Sequence, residues 1–135
     1  MELKKYQHKD YTISWNPEEK IIYVKFLETF SKESAKDFKR DALELGMTVK
    51  GMEKTVKVLH DLREVSDDYD HLDVSGEMLL VDAMEYVDKI ASFGLGRAIR
   101  KSSLGVFDTV HFLTQGKEMR FYEDENSAKS WLMKQ

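Results

Sequence analysis

The 135-residue sequence predicts an α/β fold, in the element order ββαβαβαβα on a mostly parallel sheet with an N-terminal antiparallel hairpin and flanking helices. Three observations predict this class. Two early segments alternate apolar and polar residues, an apolar run follows the first helical segment, and apolar stripes at helical spacing separate the later strand-like segments. With one proline and seven glycines there is no flexible linker, so we expect a single domain over residues 1–135.

The hairpin is predicted from residues 11–15 and 22–26, whose alternation is typical of strands with one buried face. Asn16 and Pro17 between them favour a turn. A helix should follow from a cap at Ser31 and end near Gly46. Its apolar stripe consists of Ala35, Phe38, Ala42 and Leu45.

The stretch TVKVLHDLREV, residues 55–65, is predicted to be the central strand. Its apolar residues fall on both faces, which suits a strand that is buried from both sides. Charged residues follow at once, namely Asp61, Arg63 and Glu64. Open α/β sheets usually bind ligands at the carboxyl ends of their strands, so this end of the stretch is where we look for function.

The second half is predicted to hold three helices and two strands. A long helix should carry its stripe on Leu80, Ala83, Met84, Val87, Ile90 and Ala91 and stop at Phe93-Gly94. A short strand over 97–101 and a helix capped by Ser102-Ser103 should follow. Residues 119–122 predict the last strand and residues 123–134 the last helix.

Composition narrows the classes of function. The net charge is −4, with 21 basic and 25 acidic residues interspersed, so no basic stripe for nucleic acid is present. The absence of cysteine excludes thiolate chemistry and disulfides, and no window approaches the roughly 18 apolar residues of a spanning helix. We therefore expect a cytoplasmic protein with no nucleic-acid partner.

Two motifs, together with the element order, resemble the SpoIIAA-like superfamily of STAS domains, in its stand-alone bacterial and archaeal branch. The motifs are Asp61-Leu62-Arg63 at the end of the central strand and the terminal segment FYEDENSAKSWL, residues 121–132. The resemblance implies the SpoIIAA-like fold. It also implies a regulatory or binding role, and the fold is similar to that of the CRAL-TRIO lipid-transfer domains.

In regulatory STAS domains a serine in a D-S-S-G-like turn is phosphorylated by a partner kinase. Asp73-Val74-Ser75-Gly76 lies near the corresponding place, so the resemblance makes Ser75 a candidate phosphosite. The first serine of the motif is Val74 here, and the acidic residues before it would repel a phosphate. The alternative is that Ser75 only caps or precedes a helix.

A ligand site is predicted at Asp61, Arg63, Ser102 and Ser103. If the central strand and the next strand are parallel neighbours, both pairs would lie at the carboxyl edge of the sheet. Arg63 and free N–H groups of a helix could then bind a small anion. The alternative is that Arg63 pairs with Asp61 or Glu64 and the serines only cap.

An apolar surface is predicted at the start of the long helix, on Met78, Leu79, Met84 and Tyr86. The apolar run there is wider than one buried stripe requires, which suits a partner groove, a membrane interface or a lipid pocket. A helix that is buried on two sides would show the same pattern.

No catalytic constellation emerges. The four histidines, His8, His60, His71 and His111, fall on different elements, and the acidic segment around His71 fails the calcium-loop template. We expect a non-enzymatic binding module without cofactor or metal, which docks a protein partner or a small anionic or apolar ligand. The alternatives are a lipid carrier with peripheral membrane contact and a phospho-switch regulator. A homodimer through the hairpin edge stays open.

Overall fold

The computed structural model describes residues 3–27, 32–64, 86–94 and 118–134. These ranges contain six strands and two helices. The strands are β1 (Tyr6–Gln7), β2 (Tyr11–Asn16), β3 (Ile21–Phe26), β4 (Lys57–Asp61), β5 (Lys89–Phe93) and β6 (Glu118–Tyr122). The helices are α1 (Lys32–Lys50) and α2 (Glu125–Met133).

The six strands form one sheet in which spatial order equals chain order, β1 to β6. β1, β2 and β3 pair antiparallel, whereas β3, β4, β5 and β6 pair parallel. The predicted fold class, a mostly parallel sheet that begins with an antiparallel hairpin, is therefore confirmed, and β4 is an interior strand as expected from its two apolar faces.

Helices cover both faces of the sheet. On one face, Ile22, Val24 and Val58 pack with Phe38 and the other buried residues of α1. On the opposite face, the alternate residues of the same strands form a second core with α2, made of Ile21, Leu59, Ala91, Phe93, Ala128, Trp131 and Leu132. The strand period of two thus divides the core, since β3, β4 and β5 each contribute side chains to both clusters.

A row of hydrogen bonds fixes α1 to the first two strands. The hydroxyl of Tyr11 donates to Asp41 Oδ2 at 2.6 Å, and both residues are buried. The hydroxyl of Tyr6 donates to Glu44 Oε1 at 2.7 Å. Further along, the hydroxyl of Ser34 donates to Asp10. These helix residues, at positions 34, 41 and 44, are seven and three positions apart, so the row follows one side of α1.

Residues 89–93 correct one prediction from the sequence. Val87, Ile90 and Ala91 were expected on the stripe of a long helix, but Lys89–Phe93 is the strand β5, paired with β4 and β6. A short apolar run that is buried on both faces cannot be told from a buried helix by its spacing alone. Here the pairing with β4 and β6 identifies residues 89–93 as a strand.

The bounds of the other elements differ less. α1 continues four residues beyond Gly46, its expected end, to Lys50, and Gly51 follows it. The last strand and helix lie where the sequence predicts them, and the side chain of Asp124 caps α2 by accepting from the backbone N–H of Ser127. β1 has no counterpart among the predicted strands.

Several predicted elements lie outside the described residues. They are the cap at Ser31, the first part of the long helix, the strand over 97–101 and the helix after Ser102-Ser103. Neither helix in the described part of the chain is long and apolar enough to cross a membrane.

Candidate functional site

Asp61 and Arg63 meet at the carboxyl end of β4 in a two-pronged ion pair. Asp61 Oδ1 accepts from Arg63 Nε at 3.0 Å, and Asp61 Oδ2 accepts from Arg63 Nη2 at 2.7 Å. The backbone N–H of Arg63 also donates to Asp61 Oδ1, at 3.0 Å. Because a guanidinium matches a carboxylate in both shape and charge, this arrangement fixes the direction of the arginine side chain.

The end of β5 supports Arg63 from the other side. The guanidinium carbon of Arg63 lies 5.1 Å from the centre of the Phe93 ring, a cation–π contact. Gly94 has a φ of +83°, and a Cβ there would overlap Arg63 Cγ. The Leu62 N–H donates to the Phe93 carbonyl at 2.9 Å, which ties the two strand ends together. Glycine at position 94 is thus required both by its backbone conformation and by the arginine beside it.

Arg63 reaches solvent although it is held in place. Its side chain is 61% exposed, whereas that of Asp61 is only 14% exposed. A guanidinium has five N–H groups, and Asp61 takes two of them. The structure therefore presents an ordered cation, with further donors, at the carboxyl edge of the sheet.

The two charges of the pair stabilise each other. Burial by itself would raise the pKa of Asp61, but the hydrogen bonds from Arg63 and the positive charges of Arg63 and Lys25 outweigh burial and hold that pKa below its ordinary value. The carboxylate of Asp61 likewise raises the pKa of Arg63. Asp61 is therefore a fixed anion at neutral pH.

A second ion pair lies beside the first. Lys25 is the register partner of Asp61 on β3, and its Nζ lies 2.8 Å from Glu64 Oε2. The negative charges of Glu125 and Glu64 also act on Arg63. Of these five residues three are acidic and two are basic, so together they do not form a positively charged pocket.

The structure brings together only part of the predicted ligand site. The sequence left open whether Arg63 binds an anion or pairs with Asp61 or Glu64, and the structure shows the pairing with Asp61. Ser102 and Ser103 lie outside the described residues, so their place at this edge stays a prediction. β5 ends at Phe93, so the residue that directly follows the neighbouring strand is Gly94.

The predicted apolar surface and phosphosite are mostly outside the described residues. This holds for Ser75, Met78, Leu79 and Met84. Tyr86 is described, and it does not lie on a helix. It precedes β5 in a turn, half-buried, with its Cβ 3.5 Å from where a Cβ of Gly46 would lie. It therefore packs on α1.

Two of the four histidines are described, and neither resembles a catalytic base. His60 is 9% exposed, its ring meets the Phe26 ring edge-on, and burial lowers its pKa to about 4. His8 uses both ring nitrogens, since Nδ1 accepts from the Asp10 N–H at 3.1 Å and Nε2 lies 2.9 Å from Asp37 Oδ2. Since Nδ1 accepts, the proton of a neutral His8 ring is on Nε2. Within the described ranges no three His, Asp or Glu side chains gather as for a metal ion.

An open groove of about 500 Å³ lies at the hairpin, between Lys5, Trp15 and Tyr23. No predicted site residue lines it. Two of its polar side chains bond to a neighbour outside the groove lining, because Asn16 Nδ2 donates to Glu19 at 2.9 Å and the Tyr23 hydroxyl also donates to Glu19. We therefore place the candidate site at Arg63.

Reasoning from the sequence missed Lys25, Phe93 and Gly94 as parts of this site. Gly94 was interpreted as a helix stop, because residues 87–91 were assigned to a helix. A glycine directly after the short, mostly apolar run Ile90-Ala91-Ser92-Phe93 would have been the available signal for a strand end. The pairing of Lys25 with Asp61 depends on strand order, which the sequence alone does not give.

Comparison with known proteins identifies the class of fold. The structure is similar to that of an uncharacterised DUF3478-family protein with a SpoIIAA-like fold from Shewanella loihica PV-4. The TM-score is 0.60 at 17% sequence identity, and the match covers 96% of this chain and 99% of that one. The chain therefore has a SpoIIAA-like fold, as the motifs around Asp61 and in residues 121–132 predict. No family model matches the sequence, and no curated protein does.

Proposed function

We propose that the protein is a non-enzymatic binding module that docks a protein partner at the carboxyl edge of its sheet, with Arg63 as the central contact. The observation that carries this proposal is the support of Arg63. Asp61, Phe93 and Gly94 hold the side chain in one direction while 61% of it stays exposed. Arginine is enriched among the residues that dominate protein interfaces.

Pre-ordering of Arg63 favours binding energetically. An arginine that is free in solution loses side-chain entropy when it is fixed in an interface, about 0.5–1.5 kcal/mol for a flexible side chain. Because the ion pair with Asp61 already orders the Arg63 side chain in the free protein, less side-chain entropy is lost on binding. The remaining N–H groups can donate to carbonyl or carboxylate oxygens of a partner.

The charge balance of the site favours a protein over a free anion. Arg63 is paired with Asp61 and Lys25 with Glu64, and Glu125 adds a further negative charge. A small anion would meet little attraction over distance, because these opposite charges cancel beyond a few ångströms. A partner protein can supply matching charges of both signs.

The titratable groups support a non-enzymatic role. Asp61 and Glu64, the two carboxylates on either side of Arg63 in the sequence, each bind a cation of their own. His60 is buried away from solvent, and His8 is committed to Asp10 and Asp37. Each of these groups already has a structural role.

Photo-cross-linking in the cells that make the protein tests the proposal. A benzoylphenylalanine at position 64, next to Arg63, should give one discrete protein adduct. The matched control carries the same probe at Glu18, an exposed acidic residue in the β2–β3 turn, at the amino end of β3. Adducts of equal yield at both positions would refute a specific site, as would the absence of an adduct at position 64.

Inorganic phosphate distinguishes the small-anion alternative. With arginine side chains labelled with ¹⁵N, the Nε signal of Arg63 should stay unchanged as phosphate is added at constant ionic strength. A saturable shift of that signal, absent for Arg40 on α1, would show that the site binds a free anion and would contradict partner docking as its primary role.

A further inference from the structure

Two polar residues lie next to each other within the core, on the face of the sheet that α1 covers. Ser92 on β5 is the direct register partner of His60 on β4, and both residues are buried. Ala91 and Phe93, on either side of Ser92, belong to the α2 core, so Ser92 points to the opposite face. The His60 ring meets the ring of Phe26, a residue of the α1 core, edge-on. The two polar side chains therefore stand side by side, on strands about 4.8 Å apart.

Within the described part of the chain, the hydroxyl of Ser92 has no hydrogen-bond partner, although its Oγ is fully buried. A buried hydroxyl without a hydrogen bond destabilises a fold, so such groups are rare in native proteins. Burial lowers the pKa of His60 to about 4, and no hydrogen bond from the described residues to its ring contributes. At neutral pH the pair thus offers a hydroxyl and an uncharged imidazole, which has one donor and one acceptor nitrogen.

The neighbours of this pair within the sheet are apolar residues. In the same register row, Val24 on β3 lies next to His60, and Phe121 on β6 lies next to Ser92. Two positions earlier, β4 and β5 each place an apolar residue in the α1 core. A charged ligand would lose its hydration here and find no opposite charge on the pair. A neutral group that both donates and accepts would instead satisfy Ser92 and His60 together.

We propose that Ser92 and His60 together bind a neutral hydroxyl group, which bridges the Ser92 Oγ and a ring nitrogen of His60. Bridging molecules commonly link buried polar groups that do not reach each other directly. Two sources have this chemistry, namely an internal water molecule and the alcohol group of a small apolar molecule. The site is separate from Arg63, because His60 and Asp61 are adjacent on β4 and so point to opposite faces of the sheet.

A double-mutant cycle, measured by urea denaturation of the full chain, tests the bridge. Ser92→Ala should raise the equilibrium constant of unfolding at least about fivefold, because the bridging hydroxyl loses a partner. His60→Phe removes the ring nitrogens and keeps a ring of similar size, and in that background Ser92→Ala should change the constant by less than about twofold. Ser14→Ala is the matched control, since it makes the same change at a half-buried strand position beside the open groove. Its effect should be the same in both backgrounds.

Nuclear magnetic resonance of the original protein identifies the source of the hydroxyl. Rotating-frame cross-peaks between a long-lived water and the ring protons of His60 would identify an internal water. A saturable shift of those ring signals with 1-butanol, absent with its isomer diethyl ether and lost in Ser92→Ala, would identify an alcohol. Either result supports the site, and the comparison with the ether shows whether the O–H group is required.

Three results would overturn the proposal. One is a Ser92→Ala variant as stable as the original protein or more stable, as expected for a buried hydroxyl to which nothing binds. Another is an equal effect of Ser92→Ala with His60 and with phenylalanine at position 60, which would mean that His60 takes no part. The third is the absence of both the water cross-peaks and the shift with 1-butanol.

Discussion

The guanidinium of Arg63 turns back onto the carboxylate of Asp61, two residues earlier in the chain, and is bound by both of its oxygens. This contact is local in sequence, yet it needs the end of β5 to complete it. Phe93 supplies a ring beneath the guanidinium, and Gly94 leaves room for its aliphatic stem. The arginine is therefore ordered by two strands together, which makes its position sensitive to changes in either.

Gly94→Ala should displace Arg63 and destabilise the fold. Alanine at a φ of +83° is strained by about 1–2 kcal/mol, and its methyl group would overlap Arg63 Cγ. Urea denaturation should show a loss of about 1–3 kcal/mol. Gly46→Ala is the matched control, because a Cβ there meets Tyr86 at an ordinary 3.5 Å inside α1, so stability should rise by about 0.5–1 kcal/mol. Equal effects at both positions would contradict the packing described for Gly94.

Asp61→Asn should weaken the fold at neutral pH and alter its response to acid. The pKa of Asp61 is lowered in the folded protein, so this carboxylate stabilises the fold above its unfolded pKa of about 4, and that stability is lost as the pH falls through the folded pKa. We expect a loss of about 1 kcal/mol at pH 7. The difference in unfolding free energy between the original protein and the variant should shrink below pH 4. A difference that is constant down to pH 2 would count against the lowered pKa.

His60 should make the protein less stable in mild acid. Its pKa is lowered to about 4, so between pH 6.5 and 4 the unfolded chain binds a proton that the folded chain excludes. The unfolding free energy should fall by up to about 3 kcal/mol over that range, because one proton taken up by the unfolded chain alone is worth about 1.4 kcal/mol per pH unit. In His60→Leu this component should vanish, and the difference curve against the original protein isolates it from the carboxylates. Parallel curves would contradict the burial of His60.

The hydroxyl groups of Tyr11 and Tyr6, which both bond to α1, should contribute differently to the stability of the fold. Tyr11→Phe removes the donor to Oδ2 of the buried Asp41, whose Oδ1 accepts from Arg40 Nε, whereas Tyr6→Phe removes a donor to the exposed Glu44. An unsatisfied buried acceptor costs about 1–3 kcal/mol, while water can replace the lost donor at Glu44. Thermal denaturation should therefore show a clearly larger loss for Tyr11→Phe. Similar losses would indicate that Asp41 is accessible to water.

The sequence predicts much of the fold because apolar and polar residues alternate along strands that have one buried face. That alternation is absent from strands that are buried on both faces. β2 and β3 follow the first pattern and β4 the second. β5 shares the second pattern, and there the spacing of Val87, Ile90 and Ala91 imitates a helix stripe. Only pairing with β4 and β6 settles its identity, and such pairing is a property of the folded sheet. β1, two residues long, is likewise defined by its partner.

The candidate site was predictable only in part for a related reason. Asp61 and Arg63 stand out because charges follow an apolar strand directly. Their pairing with each other was one of two readings, and the choice depends on Phe93 and Gly94, some thirty residues away in the sequence. Lys25 and Glu64 join the same edge through the parallel register of β3 and β4. No pattern within a short stretch of sequence predicts that these residues lie side by side.

The yield of the cross-linked adduct at position 64, compared between the original protein and Arg63→Ala, tests the docking role of Arg63 most directly. The probe is the same in both proteins, and Arg40→Ala, which removes an exposed arginine from α1, controls for the loss of one positive charge. Removing a central interface arginine should lower the affinity, and with it the yield at limiting partner, at least about tenfold. The Arg40 control should keep its yield. An undiminished adduct in Arg63→Ala would contradict the proposed role of this residue.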